Sequence, residues 1–342
     1  MSIANIFLII VITMLFVLMF IPVVKQVALH VGALDIPNAR KVHKQPIPRL
    51  GGLGIYAGFL LGYMMFGHES IQMNAILIGS IIIVITGIVD DIKPISAKHK
   101  FLGQLAAATI IPVYGGIILR DVSFFGIYFN FGILSYPLTI FFILGVINCM
   151  NLIDGLDGLA GGIASIYFLT IGIISIFFMN SSGLDAILTF VMLGSTLGFL
   201  YHNFNPASIF MGDSGSMFLG YMIAVIALLG YKNVTFTSFI VPIFLLAVPI
   251  MDTLFAILRR FINHKPISEP DKNHLHHQLL KQNFSQKRTV LTIYLIDILF
   301  AIASIVYVLG NNIVGMVVYA MLFIIVLVLI LKTDIIFERN SK

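Results

Sequence analysis

The sequence predicts an all-α membrane protein, a polytopic helical bundle of about eleven transmembrane helices, on three observations. Of its 342 residues, 59% are hydrophobic and only 10% are charged. A soluble domain carries about 25% charged residues, and a soluble chain this apolar would expose more greasy surface than water tolerates. The apolar residues come in runs that approach the roughly 20 needed to cross a bilayer as helix. Lys and Arg are shared very unequally among the connections between those runs.

The spans fall near 3–24, 51–66, 74–89, 101–119, 134–150, 158–178, 186–201, 215–230, 237–258, 290–309 and 313–331. The first run is too long for a signal-peptide core and lacks a basic start and a small-residue cleavage site, so it is expected to persist as a helix. No tandem repeat or low-complexity linker interrupts the chain, and 1–342 reads as a single integral membrane domain.

Orientation follows from Lys and Arg, which stay on the cytoplasmic side. With eleven spans, the connections 25–50, 90–100, 151–157, 202–214 and 259–289 and the tail 332–342 share one face and hold 18 of the 20 Lys and Arg. Arg120 and Lys232 fall on the other face. The N-terminus is then expected outside and the C-terminus in the cytoplasm. The same connections hold eight of the nine His and most of the acids, so the active-site loops are expected at the cytoplasmic interface.

Composition also excludes several classes. The single Cys149 rules out an intrachain disulfide and a multi-Cys metal cluster. The net charge of +5 sits in the membrane-face connections, so nucleic acid is not an expected partner. A transporter would place ionisable residues and broken helices near the bilayer midplane. Here Asp252 and Asp297 are the only acids well inside spans, and the others gather at one face.

The first inner connection reads ALDIPNARKVHKQPIPRLGG over 33–52. Arg40, Lys41, His43, Lys44 and Arg49, with Gly51 and Gly52 opening the next span, suit a phosphate. Positive-inside anchoring would account for the charges alone, but the proline frame around Arg49 favours a shaped loop. The second connection opens with Asp90 and Asp91 and continues to Lys98, His99 and Lys100. Acids there sit at the negative end of a helix dipole and gain nothing from the positive-inside bias. They need a cation partner, Lys98 or Lys100, or a chemical role.

The third connection carries Asn151, Asp154 and Asp157 in NLIDGLDGLAGG. The two acids are three apart and share a face of a helical turn. Gly155, Gly158, Gly161 and Gly162 permit close approach of a ligand or of another backbone, and packing through small residues is the plainer alternative. The fourth, HNFNPASIFMGDSGS over 202–216, brings Asp213, Ser214 and Ser216 to the start of a span, where a helix N-cap would suffice to explain them. The fifth holds Arg259, Arg260, His264 and Lys265, then His274, His276 and His277 in DKNHLHHQLL. Without Cys, and with acids suited to a hard cation, zinc is disfavoured. Imidazoles that hydrogen-bond a sugar or pyrophosphate fit better.

Acids from three connections and cations from three thus meet on one face. Carboxylates alone would repel an anionic substrate, and a divalent cation resolves the conflict, because carboxylates and phosphate oxygens can share it. The pattern calls for phosphoryl transfer near lipid, with Mg²⁺ and a diphosphate substrate.

In this order, VDD, NLIDGLDGLAGG and FMGDSGS resemble the polyprenyl-phosphate N-acetylhexosamine-1-phosphate transferases, and the resemblance runs from PNARKVH to HLHH. It implies ten or eleven spans in a bacterial cytoplasmic membrane, a cytoplasmic active site and one broken span. Pro249 and Asp252 within 237–258 mark the candidate for the break. It implies that Asp90 and Asp91 are catalytic and that Asp213 ligates Mg²⁺, with Mn²⁺ a conceivable substitute. Asn151, Asp154, Asp157, Asn203 and Phe210 are placed around the uridine diphosphate moiety and the metal. Lys41 and Lys100 become phosphate or nucleotide contacts, beside His43 and Arg49. His274, His276 and His277 match a His-rich loop that meets sugar and diphosphate. A homodimer is compatible with the family fold.

Two branches of the family differ at two places. The muramoyl-pentapeptide branch has PTMGG where this chain has Pro48-Arg49-Leu50-Gly51-Gly52, and three consecutive His where it has His274-Leu275-His276-His277. Both departures resemble the N-acetylglucosamine branch, which starts wall teichoic acid, O-antigen and enterobacterial common antigen. The implied reaction moves N-acetylglucosamine-1-phosphate from a UDP-sugar, UDP-N-acetylglucosamine, to undecaprenyl phosphate and releases UMP. The alternative is the phospho-N-acetylmuramoyl-pentapeptide transfer of peptidoglycan synthesis. Abundant Ile, Asn and Lys fit a low-GC bacterium and tilt the reading to teichoic acid.

Overall fold

The structure, a computed structural model, describes residues 1–37, 45–124, 127–177, 183–232, 239–264, 274–308 and 312–332. Its helices are α1 Ile3–His30, α2 Gly51–Phe66, α3 Ile71–Ile92, α4 Ala97–Val113, α5 Ser135–Ile153, α6 Leu159–Phe177 and α7 Leu184–Asn203, then α8 Gly212–Lys232, α9 Ile240–Leu245, α10 Ala247–Ile262, α11 Leu275–Lys281, α12 Gln286–Val308 and α13 Asn312–Lys332. Among the described residues, 7 helices are long and apolar enough to cross a membrane, and Gly51–Phe66 and Ile313–Val328 are shorter apolar helices. This is the helix content of a multi-pass membrane protein. Large apolar side chains such as Phe7, Leu15, Met19, Phe141 and Leu169 face outward, where only lipid can cover them without cost.

One span ends early, and the break expected within 237–258 is present. α4 stops at Val113 rather than near 119; the Tyr114 N–H closes on the Ile110 carbonyl, and Gly116 turns the chain at a φ of 59°. The segment expected over 237–258 is broken between α9 and α10. Pro249 has no N–H to bond the carbonyl four residues back, and the helix restarts after Leu246, whose φ is −105°.

Two small antiparallel pairs interrupt the helical pattern, β1 Leu34–Asp35 with β2 Ile47–Pro48, and β3 Asp121–Phe124 with β4 Ile127–Asn130. The first pair joins the segment after α1 to the segment before α2 and delivers Arg49 to the start of α2.

The chain divides into two compact units, Met1–Ile240 and Val241–Lys342. In the first, α8 is the centre, and α2, α3, α5, α6 and α7 all pack on it. α3 runs antiparallel to α8. Its Gly87 lies on Ser214, its Gly79 lies on Tyr221, and the Tyr221 hydroxyl donates to the Ile76 carbonyl at 3.2 Å. α5 is antiparallel too, with Ile147 against Gly220 and Asn151 against Ser216. The C-terminal ends of α3 and α5 therefore arrive together at the N-terminal end of α8.

Glycine makes these approaches feasible. A Cβ on Gly52 would stand 2.1 Å from the Gly215 nitrogen, and one on Gly87 2.3 Å from the Ser214 Cα. The obstructing atoms are backbone and cannot swing aside. In the second unit, α10 and α11 pack on α12, and α13 packs on α12. There Phe244 stacks on Tyr319 with ring centroids 3.9 Å apart, and the Tyr319 hydroxyl donates to Ser304 Oγ at 2.7 Å.

Gly52→Ala should destabilise the first unit by about 1–3 kcal/mol, the usual cost of overpacking. Gly145→Ala should be neutral or slightly stabilising, since a Cβ on Gly145 meets nothing within 4 Å. Cys149 is the single cysteine and is buried. Thermal unfolding followed with a thiol-reactive dye therefore reads both variants.

Candidate active site

The site is assembled from helix ends. α3 contributes Asp90 and Asp91 from its last turn, and α5 contributes Asn151 from its last turn and Asp154 as its C-cap. α4 and α8 contribute Lys100 and Asp213 from their first turns. Helix ends are where backbone polar groups lack intrahelical partners, so polar side chains gather there.

Asp91 has no exposed side-chain surface. Its Oδ1 accepts from Arg49 Nε at 3.0 Å, Arg49 Nη2 at 2.8 Å and the Asp213 N–H at 2.8 Å. Its Oδ2 accepts from the Ser214 N–H at 3.0 Å and Ser214 Oγ at 2.7 Å. The acid at the negative end of α3 thus caps the positive end of α8. Burial works against the charge of Arg49, but Asp91, with Asp213 and Asp35, outweighs it and raises the guanidinium pKa. Arg49 Nη1 also lies 3.7 Å from Asp35 Oδ1.

Asp90, one residue back, faces another way. Its Oδ1 accepts from the Ile95 N–H at 2.9 Å, and its Oδ2 lies 3.9 Å from Lys100 Nζ. Lys100 Nζ donates to Asp213 Oδ2 and, at 3.2 Å, to Asn151 Oδ1. Asn151 Nδ2 donates to Asp213 Oδ1 at 3.0 Å and to Ser216 Oγ at 2.8 Å. The side chains of Asp90, Asp213 and Lys100 keep 13%, 21% and 19% of their surface open, so a ligand can reach this part of the cluster.

Asp154 accepts no hydrogen bond from any described residue. Enclosure by protein, then the charges of Asp213 and Asp91, with Arg49 opposing, push its carboxyl up to about 8.

Other expected contacts are spent within the protein. Asn203 is buried; its Oδ1 accepts from the Gly158 N–H at 3.0 Å, and its Nδ2 donates to the Ile209 carbonyl at 2.9 Å. It clamps two loops rather than presenting its amide to a nucleotide. Asp157 Oδ2 accepts from Asn205 Nδ2 at 2.9 Å and the Ala207 N–H at 3.0 Å. Phe210 joins the backbones of β2 and α2, its N–H donating to the Pro48 carbonyl at 2.7 Å and its carbonyl accepting from Gly51 at 2.9 Å. Gly51 and Gly52 donate to Phe210 and Met211, so they serve packing, not phosphate. Lys41 and His43 lie outside the described residues. Nothing in the local sequence marks Asp35 or Asn205, because their partners are reached only through the fold.

The His cluster belongs to the second unit. Asp252 Oδ2 pairs with His274 Nδ1 at 2.8 Å, and Asp252 Oδ1 accepts from the Leu275 N–H at 2.7 Å. His276 is 1% exposed, and burial, then neighbouring His277, pushes its imidazole down to about 3, so it stays neutral. His277 is half-buried, with its ring centroid 4.2 Å from that of His276.

Among the described residues, no three His, Cys, Asp or Glu side chains form a cage for a metal ion. Mg²⁺ does not need one, since one or two carboxylates, substrate phosphates and water usually complete its shell. The accessible donors here are hard carboxylate oxygens of Asp90, Asp154 and Asp213. Burial, then repulsion from Asp213 and Asp91, raises the carboxyl of one of them, Asp154, to about 8. That donor set fits Mg²⁺.

A carboxyl whose folded pKa exceeds its unfolded value of about 3.9 binds its proton more tightly when folded. Its stabilising contribution is full at low pH and is lost as pH rises toward about 8. In chelator, Asp154→Asn should therefore gain stability over the unaltered protein between pH 5 and pH 8, as measured by thermal unfolding. Parallel pH profiles for the two proteins would contradict this.

A family model described as glycosyl transferase family 4 matches residues 73–231, which take in Asp90, Asp91, Asp154, Asp157 and Asp213. The chain is 46% identical over 299 residues to a probable undecaprenyl-phosphate N-acetylglucosaminyl 1-phosphate transferase of Bacillus subtilis, covering 86% of this chain and 83% of that protein. It is 34% identical over 302 residues to a decaprenyl-phosphate N-acetylglucosaminephosphotransferase of Mycolicibacterium smegmatis, covering 80% and 74%. It is 30% identical over 294 residues to an undecaprenyl-phosphate alpha-N-acetylglucosaminyl 1-phosphate transferase of Escherichia coli K12, covering 84% and 80%. With likeness at this level across most of each chain, the protein belongs to the polyprenyl-phosphate N-acetylhexosamine-1-phosphate transferase family, in its N-acetylglucosamine-1-phosphate branch.

Proposed function

We propose that the chain transfers N-acetylglucosamine-1-phosphate from UDP-N-acetylglucosamine to undecaprenyl phosphate, releasing UMP, as the first membrane step of a cell-envelope polymer of the teichoic acid or O-antigen type. The observation that carries this reading is the open cluster of Asp90, Asp213, Lys100 and Asn151 at helix ends of a membrane bundle. It joins anion-binding charge to acids that can share a cation, and its side chains keep open surface. The Lys and Arg asymmetry supports a cytoplasmic site.

In the reaction, an oxygen of the lipid phosphate attacks the β-phosphorus of UDP-N-acetylglucosamine. The new bond is O–Pβ, the bond to the bridging oxygen breaks, and UMP leaves. Near pH 7 a phosphate monoester is largely a dianion, since its second pKa is about 6. It is already a competent nucleophile and needs positioning more than activation. Asp90 orients it and takes the remaining proton of any monoanion. Lys100 offers charge to the diphosphate, and Asn151 fixes Asp213. Mg²⁺, held by Asp213 with Asp90 or Asp154 beside it, would neutralise charge that builds on the departing phosphate.

Purified protein with Mg²⁺, undecaprenyl phosphate and UDP-N-acetylglucosamine should release UMP. Release only from UDP-N-acetylmuramoyl-pentapeptide would move the chain to the other branch, and none from either would overturn the reading. Direct attack requires both substrates, so UMP should not form without lipid. A stoichiometric burst of UMP with label retained on Asp90 would instead mean a phospho-enzyme. Asp213→Asn should raise the Mg²⁺ needed for half-maximal rate by about tenfold or more.

For sidedness, a cysteine at Asn283, with Cys149 replaced by Ser, should react with an impermeant thiol reagent in inside-out vesicles. Labelling in intact cells would reverse the orientation.

A further inference from the structure

We infer that Asp91, the second of the paired acids, is a positioning residue that acts through the first turn of α8 and touches neither substrate nor metal. The inference rests on the transferase reading for its kinetic consequences, while its structural half stands without it.

The first argument is access. The Asp91 side chain has no exposed surface, whereas the adjacent Asp90 keeps 13%. Successive residues of a helix point about 100° apart, so two neighbouring acids at a helix end divide between the closed and open sides. The second argument is capacity. A carboxylate offers about four lone-pair sites, and Asp91 already receives five donor contacts. A metal ion or phosphate-bound group would have to displace Arg49 or unmake the cap of α8.

The third argument is space. Gly212 turns into α8 at a φ of 72°, and a Cβ there would stand 2.4 Å from Asp91 Oδ2 and 2.7 Å from the Arg49 carbonyl. The Gly212 backbone thus lies close against this side of the carboxylate and leaves no room there for a bulky group.

What Asp91 does from this closed position is specific. Its Oδ1 holds the backbone N–H of Asp213, the residue whose carboxylate faces the open site. Its Oδ2 holds both donors of Ser214. The first turn of α8 is thereby fixed against the end of α3, and Asp213 is aimed at Lys100 and Asn151. Arg49 supplies the counter-charge, so the two residues form one unit. The pairing also predicts how each variant fails. Asp91→Asn keeps one oxygen but sets an amide N–H₂ against the donors on the other side and removes the charge opposite Arg49, so about half of the cap is lost. Asp90→Asn keeps an oxygen for the Ile95 N–H and leaves the scaffold alone.

The test compares Asp91→Asn and Asp90→Asn in two readouts. Thermal unfolding in chelator, followed by dye capture of Cys149, should show Asp91→Asn lowered by about 5 °C or more and Asp90→Asn within about 2 °C of the unaltered protein. In UMP release, Asp91→Asn should lose kcat by roughly tenfold or more, while the KM for UDP-N-acetylglucosamine stays within about threefold. Arg49→Met added to Asp91→Asn should cost little further, because the pair acts as a unit. An unshifted melting temperature for Asp91→Asn in chelator would show that the carboxylate does not hold the start of α8 and would overturn the inference. If Asp91→Asn does not fold, Ser214→Ala removes one donor and should lower the melting temperature and kcat with the KM for UDP-N-acetylglucosamine unchanged. A Ser214→Ala protein that melts and turns over normally would overturn it as well. Absence of UMP release from the unaltered protein would sink the transferase reading, and the melting comparison would still decide the place of Asp91.

Discussion

The Asp91 carboxylate, buried between the end of α3 and the start of α8, is the contact on which the site depends. An ion out of water costs several kcal/mol unless charge and hydrogen bonds replace its hydration. Here the Arg49 guanidinium, two backbone N–H groups, a hydroxyl and the positive end of α8 replace it. The geometry demands close backbones. Gly52 against Gly215, Gly87 against Ser214 and Gly212 against Asp91 itself are positions where a methyl group would part the elements that make the cap. Burial of this one acid therefore explains a set of glycines scattered over three segments of the chain.

Around that fixed point the remaining polar groups divide into two kinds. Asn203, Asp157 and the backbone of Phe210 direct their hydrogen bonds to neighbouring loops, and so hold the 203–211 connection against the 151–158 connection and β2. Asp90, Asp154, Asp213 and Lys100 keep surface or bonding capacity. The division matters because phosphoryl transfer relies on positioning and charge more than on covalent help from the protein. A site whose loops were free to adapt would lose the positioning, and one whose acids were all paired would have nothing to offer a cation.

Much of this was legible in the sequence, for physical reasons that also set the limits. Helix positions follow from hydropathy, a local property, and Pro249 locates the break because its effect is local too. The acids could be recognised as out of place because the dipole and the positive-inside bias both disfavour them there. Their partners could not be read. Arg49 is 42 residues from Asp91, and the Asp213 N–H is 122 residues away, so no spacing rule connects them. The glycines after Arg49 read naturally as a phosphate loop, and only the fold assigns their N–H groups to Phe210 and Met211. The three His were expected at the substrate, yet His274 is held by Asp252 and His276 is enclosed, because burial depends on what packs over a residue.

The place of the chemistry follows from the solvent. Within hydrocarbon every backbone N–H and C=O must be paired, and a continuous helix pairs them all except in its first and last turns. Side chains that satisfy those turns must be polar, and they must stand where the helices end. In this chain the ends of α3 and α5 meet the starts of α4 and α8, so caps, counter-charges and unpaired acids gather within a few residues of one another. Once Asp91 and Arg49 settle the requirements of the helix ends, a slight excess of charge remains on Asp90, Asp213 and Lys100, held rigidly by the same cap. Such an excess has no use in a structural protein and costs stability through repulsion between the acids. Its persistence at the helix ends of a membrane bundle is what the proposed reaction between a membrane-bound phosphate and a diphosphate would require.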